Sequence, residues 1–344
     1  MGKHTRFTDD EDVIVVRKKR RGEAGPISSS SGKTAVLVRS YNPSIAAVHR
    51  VLSWAEQLKD ADELSVDLWI SIDVSLPRPG SAGKTNATDG KRRRTAKRLT
   101  CGATHGSSYE GTVKEYIGKQ ASLCNLKIGK DIHVCEYTEI DMLKLYPSLS
   151  VCAKKPAYVN SKIKRRGGCS LAWGFHVEAI NYWFQTQQSQ RYKFVWVVED
   201  DVGFSGNFSE FISSYSANEE DFIYDTKAPV TDAWHWRKVH TPYFNSSFEN
   251  HLVASEHVQR FSQKLLNRLH KLGTTHKCHG WSESLVPTIA FHEPYQFKTF
   301  SMRRKSHVGA IFKWDGRITE KMWSRISNGY SLRQKNKLYH ALKW

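Results

Sequence analysis

Glu199, Asp200 and Asp201 follow directly on an apolar run, Phe194 to Val198. Three adjacent carboxylates repel one another, and burial makes each costlier to ionise. A cation or water must therefore stand among them. Carboxylate oxygens are hard ligands that suit Mg2+ or Mn2+, and an ion held there can accept the oxygens of a diphosphate. A solvated turn after a strand, where Asp is common, is the competing reading.

The elements around the acids say where they sit. Phe194 to Val198 suits a buried strand, and "TAVLVRSY" (Thr34 to Tyr41) a first strand. Ile45, Val48, Leu52 and Ala55 recur at helical spacing after Ser44, which can cap the helix. "SVDLWISIDVS" (Ser65 to Ser75) and "DIHVCEY" (Asp131 to Tyr137) read as further strands. "GCSLAWGFHVEAINYWFQTQ" (Gly168 to Gln187) and "NFSEFISSYS" read as helices, and "DFIYDT" as a short strand. In Ser255 to Gly273 the stripe Val258, Phe261, Leu265, Leu269 and Leu272 predicts one continuous helix, ended by Gly273. Strand and helix alternate, which argues for one large α/β domain with a mainly parallel sheet flanked by helices. In such sheets ligands lie beyond the carboxyl ends of the strands, where the three acids stand.

Composition divides the chain. Residues 1–33 are polar and charged and read as a disordered basic arm. Residues 34–318 form the predicted domain, interrupted by a Pro-, Gly-, Ser- and Lys/Arg-rich loop at 76–112. Residues 319–344 read as a basic helical tail.

"VWVVEDDVGFSGNFSEF" resembles the short acidic motif of nucleotide-diphospho-sugar glycosyltransferases of the GT-A fold, in which an apolar strand of a Rossmann-like sheet ends in an Asp-x-Asp-type (DXD-like) triplet. Here the first acid is Glu. "HGWSESLVPTIAFHE" (His279 to Glu293) resembles the Gly-Trp-x-x-Glu-like segment of such enzymes, and "TAVLVRSY" their first nucleotide-binding strand. The resemblance spans roughly residues 34–310 as matching islands. It implies a metal site made by Glu199 and Asp201 and completed by a later histidine: His307, or second His292. Asp200 and Arg39 would join Glu199 and Asp201 in holding the donor, and Glu283 would be the catalytic base toward the acceptor. The implied cofactors are Mn2+ or Mg2+ and a nucleotide sugar. The implied acceptor is a glycan, glycoprotein or glycolipid, with inverting and retaining chemistry both open. For Glu283, a helix start whose dipole suits an acid is the other reading.

The chain carries 52 Lys plus Arg against 34 Asp plus Glu, a net charge of +18. Four blocks account for the excess: Arg17 to Arg21, Lys91 to Arg98, Lys162 to Arg166, and Arg303 to Lys305. Such blocks mark solvated loops or attract a polyanion. The alternative function is therefore a metal-dependent nucleic-acid-processing enzyme or a basic nucleic-acid-binding protein. One contiguous triplet matches a two-metal nuclease poorly, and no nucleic-acid-binding motif appears, so nucleic acid is not the expected partner. "SSSSGKT" and "SAGKT" lack the leading glycine of a phosphate loop, holding Ile27 and Arg78 in its place. Cys278, His279 and His276 lack a second ligand pair for a zinc finger. Six scattered cysteines define no disulfide framework. No apolar run reaches the ~20 residues of a membrane helix. The expectation is a cytoplasmic protein, or a Golgi-lumen one whose anchor is missing from this sequence.

Overall fold

The computed structural model describes residues 32–41, 43–61, 63–75, 111–152, 171–187, 191–225, 228–230, 251–275, 281–299, 307–312, 317–328 and 335–342. Residues 32–344 form one compact unit. Residues 1–31 of the arm predicted at 1–33, most of the loop at 76–112 and all four basic blocks lie outside the described residues, while Lys33 opens the first strand.

The centre is a seven-stranded sheet of order β10-β6-β9-β4-β1-β2-β3. Its strands are β1 (Lys33–Tyr41), β2 (Val66–Asp73), β3 (His133–Tyr137), β4 (Tyr192–Glu199), β6 (Phe222–Tyr224), β9 (Val258–Ser262) and β10 (Phe297–Thr299), while β7 (Ala228–Pro229) and β8 (Leu252–Val253) pair separately. The β4-β1-β2-β3 half is wholly parallel. β9 runs antiparallel to both of its neighbours, and β10 is parallel to β6. The fold is thus the mainly parallel α/β one that the alternation predicts.

Pleating decides which residues meet which helices, because successive side chains face opposite sides of a strand. Val36, Val38, Trp196 and Val198 turn to one face, where α1 (Ile45–Lys59) and α2 (Val113–Leu123) pack through Val48, Val51, Leu52 and Ile117. Ala35, Leu37, Val195 and Val197 turn to the other. That face is covered through Ile180, Trp183, Leu265, Leu269 and Leu285. These come from the helices His176–Thr186, Gln263–Thr275 and Ser282–His292. A strand buried on both faces reads as a continuous apolar run, which is why β1 and β4 were legible.

Local signals set the ends of the helices. Ser44 caps α1, accepting from the Ala47 N–H at 3.1 Å. Thr112 and Glu115 form a capping box that starts α2, so the last residue assigned to the loop is a helix cap. The helix predicted across 168–187 is broken at Phe175, beside Gly174, into Leu171–Gly174 and His176–Thr186.

Two expectations are overturned. The single helix predicted over 255–273 is strand β9 followed by the helix Gln263–Thr275. Every residue of β9 is buried. The guanidinium of Arg260 donates to the carbonyls of Tyr215, Asn218 and Glu220 at 2.8 to 3.0 Å and lies over the Phe194 ring. Ser262 Oγ accepts from the Leu265 N–H at 3.1 Å, starting the helix at the point where the strand stops. The second concerns the tail. Glu320–Ser327 is helical as expected, but Leu338–His340 is a strand, β12, between β11 (Val308–Phe312) and β5 (Gly203–Phe204). The C-terminal segment is thereby part of the body: the Leu342 N–H donates to the Asp201 carbonyl at 2.8 Å, and the Ser205 N–H to that of Lys337 at 2.9 Å. A Cβ on Gly203 would meet Trp323 at 2.6 Å and Leu342 at 2.8 Å, so this close approach needs glycine.

Leu37 is fully buried at the centre of the sheet. Leu37→Ala is expected to lower the unfolding free energy by about 2–5 kcal/mol, read from urea denaturation with an unchanged slope.

Candidate functional site

The acids stand where the carboxyl ends of β1 and β4 meet the start of β9. The Asp200 N–H donates to the Arg39 carbonyl at 3.1 Å, and the Glu199 N–H to the His257 carbonyl at 3.0 Å. The Val202 N–H returns to the Glu199 carbonyl at 3.1 Å, closing a tight turn over the triplet.

This turn separates the three carboxylates. Asp200 points to the α1 side, where Ser40 Oγ donates to its Oδ2. Arg50 of α1 donates to its carbonyl at 2.5 Å. Burial, then the charge of Asp201, pushes Asp200 up to about 7, against the pull of Ser40 and Arg50. Burial likewise lowers Arg50 to about 10, which leaves it charged at neutral pH.

Glu199 and Asp201 meet two histidines instead. His257 Nδ1 lies 2.7 Å from Glu199 Oε2. His340 Nε2 lies 3.3 Å from that same oxygen and 3.1 Å from Asp201 Oδ1. The two imidazoles stack with centroids 3.4 Å apart, and His257 Nε2 is buried without a partner. Burial alone would lower His340; the charge of Asp201 and hydrogen bonds to Asp201 and Glu199 outweigh it and raise His340 to about 10. Burial would raise Glu199, but His257 and His340 hold it well below the usual carboxylate range.

One carboxylate and two imidazoles, from Glu199, His257 and His340, offer ligand atoms that all lie within 4.8 Å of one another. The donor set fits a divalent transition ion. Imidazole nitrogen suits first-row metals, whereas Mg2+ prefers oxygen alone. His257 Nδ1 and His340 Nε2 both converge on Glu199 Oε2, at 2.7 and 3.3 Å, whereas His257 Nε2 faces away from it.

A second group adjoins the first. Arg39 is the register partner of Glu199 across β1 and β4. Arg39 Nη1 lies 2.8 Å from His176 Nδ1, and Glu256 Oε2 lies 2.6 Å from that same nitrogen. His176 and Glu256 are buried. Asp73, also buried, ends β2: its Oδ1 accepts from the Ser75 N–H at 2.9 Å, and its Oδ2 has no partner.

Arg39, Glu199, Asp200 and Asp201 therefore gather at one end of the sheet, with Asp200 turned away from the other two acids. Glu283 is the second residue of the helix Ser282–His292, and its carbonyl accepts from the Ala254 N–H at 2.8 Å. That bond ties the helix to the strand entry carrying Glu256 and His257. His307 is not in the ligand group. Its Nδ1 meets the Tyr215 hydroxyl at 2.9 Å, its ring packs on Phe204 and Phe211, and burial lowers its pKa. His292 ends its helix with its ring edge-on to Phe291. The histidine that reaches the acids from the C-terminal side is His340. Sequence reading also missed His257, Glu256 and His176. The first two fell inside the supposed helix. Their adjacency in "SEHV", just before a β-branched residue, was the available signal.

No known protein family matches the chain, and no curated protein matches it. Among solved structures it is similar to the mannosyltransferase Ktr4p from S. cerevisiae in complex with GDP. There the identity is 10% and the TM-score 0.37, over 75% of this chain and 66% of that one. It is similar to core-mannan synthase A (CmsA/Ktr4) from Aspergillus fumigatus in its Mn/GDP form, at 9% identity and TM-score 0.36, over 80% and 74%. It is also similar to the galactosyltransferase LgtC in complex with donor and acceptor sugar analogues, at 8% identity and TM-score 0.38, over 89% and 86%. With TM-scores below 0.5, these likenesses decide nothing about the chemistry, which rests on the geometry of the site.

A histidine whose pKa rises on folding stabilises the fold below its unfolded value, here 6.5, and loses that effect as pH climbs through about 10. The raised pKa of Asp200 acts in the same sense at lower pH, with its contribution lost between 3.8 and about 7. In chelator-treated protein, Tm is expected to fall from pH 7 to pH 10, and His340→Gln to flatten the fall. A level wild-type profile contradicts the assigned ion pairs.

Proposed function

We propose that this chain is a nucleotide-sugar glycosyltransferase of the GT-A type, moving a sugar from a nucleotide diphosphate to an acceptor hydroxyl. One observation carries the reading: the end of β4, the residue just before β9, and β12 deliver Glu199, His257 and His340 to one point beyond a mainly parallel sheet, with Asp201 alongside. A site of this kind needs a reason to hold two imidazoles against two carboxylates.

Glu199, His257 and His340 would hold the ion, with Asp201 close enough to His340 to orient it. Ligand orientation by such partners is a general feature of metal sites. When bound, a divalent cation supplies Lewis acidity toward a diphosphate leaving group. The two imidazoles disfavour Mg2+, which takes oxygen ligands, and Mn2+ is the ion of the two proposed here. Arg39, beside Glu199, offers a guanidinium to the phosphate oxygens. Asp200, held by Ser40 and Arg50, keeps the turn in shape rather than facing the ion. Glu283 remains the base proposed to take the acceptor proton. The sugar, nucleotide base and acceptor class follow from none of these contacts.

The nucleic-acid alternative is the weaker reading. A single compact ligand group differs from the paired ions, about 4 Å apart, of two-metal nucleases. Isothermal titration of GDP and UDP, each with and without Mn2+, separates the two. The expected result is metal-dependent binding of one nucleotide. Glu199→Gln and His340→Gln should each weaken Mn2+ binding by at least about tenfold, since loss of even an outer-shell partner costs 10–100-fold. Metal-independent, steeply salt-dependent binding of DNA or RNA, with no nucleotide binding, would overturn the proposal.

The compartment is also proposed. Cys152 is disulfide-bonded. Such bonds persist in oxidising compartments, which favours the Golgi-lumen alternative over the cytosol. Among the described residues no helix is long and apolar enough to cross a membrane. Mass spectrometry after alkylation of the native protein is expected to find Cys152 blocked until reductant is added. Alkylation without reductant counts against an oxidising compartment.

A further inference from the structure

His176 Nδ1 has two partners and one valence for them. Arg39 Nη1 stands 2.8 Å away and Glu256 Oε2 2.6 Å away. If the nitrogen carries a proton, it donates to Glu256 and faces the Arg39 N–H donor to donor. If it is bare, it accepts from Arg39 and turns a lone pair on the Glu256 carboxylate. In either state one buried polar group is poorly served, and such groups are costly. Arg39 and Glu256 make no direct ion pair, and Arg39 Nε is buried with no partner at all.

A ligand that takes the donors of Arg39 removes this conflict. It must bring anionic oxygen to the sheet face on which Glu199 of β4 also lies. Arg39 and Glu199 are register partners on adjacent parallel strands, so their side chains emerge on the same face. An anion at Arg39 is thus next to the ligand group formed by Glu199, His257 and His340. A diphosphate has the reach and the acceptor count to span both, with oxygens for the two Nη nitrogens together. Once it holds the guanidinium, the Nδ1 proton is left to Glu256, whose charge would otherwise repel the incoming anion.

We infer that His176 is a positioning residue for the diphosphate of the donor: its Nδ1 takes up the Glu256 carboxylate, which frees the Arg39 guanidinium for the ligand and shields that ligand from Glu256. This rests on the nucleotide-sugar reading of the site, and it adds a residue to which neither the sequence motifs nor the ligand group assigns a role.

The test is isothermal titration of GDP and UDP into Mn2+-saturated protein, with Mn2+ titrated alone in parallel. His176→Ala is expected to raise the nucleotide Kd about tenfold, the effect of losing a charge-assisted contact, and to leave Mn2+ affinity unchanged. In an Arg39→Ala background it is expected to add nothing further, because both act through one contact. His176→Asn, which places an amide near the Nδ1 position, is expected to stay within about threefold of wild type, while His176→Gln, which reaches toward the Nε2 position, falls like alanine. Wild-type nucleotide affinity in His176→Ala, or full additivity with Arg39→Ala, overturns the inference and leaves the reading of the site intact. If the alanine variant does not fold, equal affinities for the Asn and Gln variants overturn it. A wild-type protein that binds Mn2+ but neither nucleotide overturns the reading and this inference with it.

Discussion

The structure depends on how it separates three consecutive carboxylates. Glu199, Asp200 and Asp201 cannot all be ionised side by side in a half-buried turn without compensation. The turn offers a way out: with the Val202 N–H closed onto the Glu199 carbonyl, successive side chains leave it in different directions. Asp200 goes to the α1 face, where Ser40 and Arg50 receive it. Glu199 and Asp201 meet His257 and His340 on the other side. The triplet therefore works as two acids plus a spacer that has its own anchor.

That separation makes demands on distant parts of the chain. His257 is available only because β9 runs antiparallel to β4, which sets it across from Glu199. His340 is available only because the C-terminal segment folds back as β12 and hydrogen-bonds the main chain at Asp201 and Ser205. Arg50 must come from the second turn of α1, whose start is fixed by the Ser44 cap. The site is shared by elements separated by more than a hundred residues, so its assembly depends on the whole sheet and not on one loop.

The errors of sequence reading have physical causes. From Val258 to Leu272 apolar residues recur at helical spacing, yet the first five residues are a strand. A short stretch buried on all sides, such as β9, shows no period of its own and takes on the period of its neighbour. Arg260 lies within that stretch, and three backbone carbonyls and the Phe194 ring hold its charge in the core. His307 and His340 both follow the acids and both sit near a β-branched or aromatic residue. Nothing local says which one turns toward Glu199 and which one packs on Tyr215 and Phe211.

The sequence by itself determined the α/β class, the central strands β1 and β4, the cap of α1 and the position of the acids at a strand end. Each of these is written in contiguous residues, as an apolar run, a capping serine or a charge cluster. Only the tertiary structure decided that β9 is a strand, that the C-terminal segment belongs to the body, and that His257, His340, His176 and Glu256 surround the acids. Those outcomes rest on contacts between residues far apart in the chain, and a linear pattern carries no record of which distant side chain arrives at a given point.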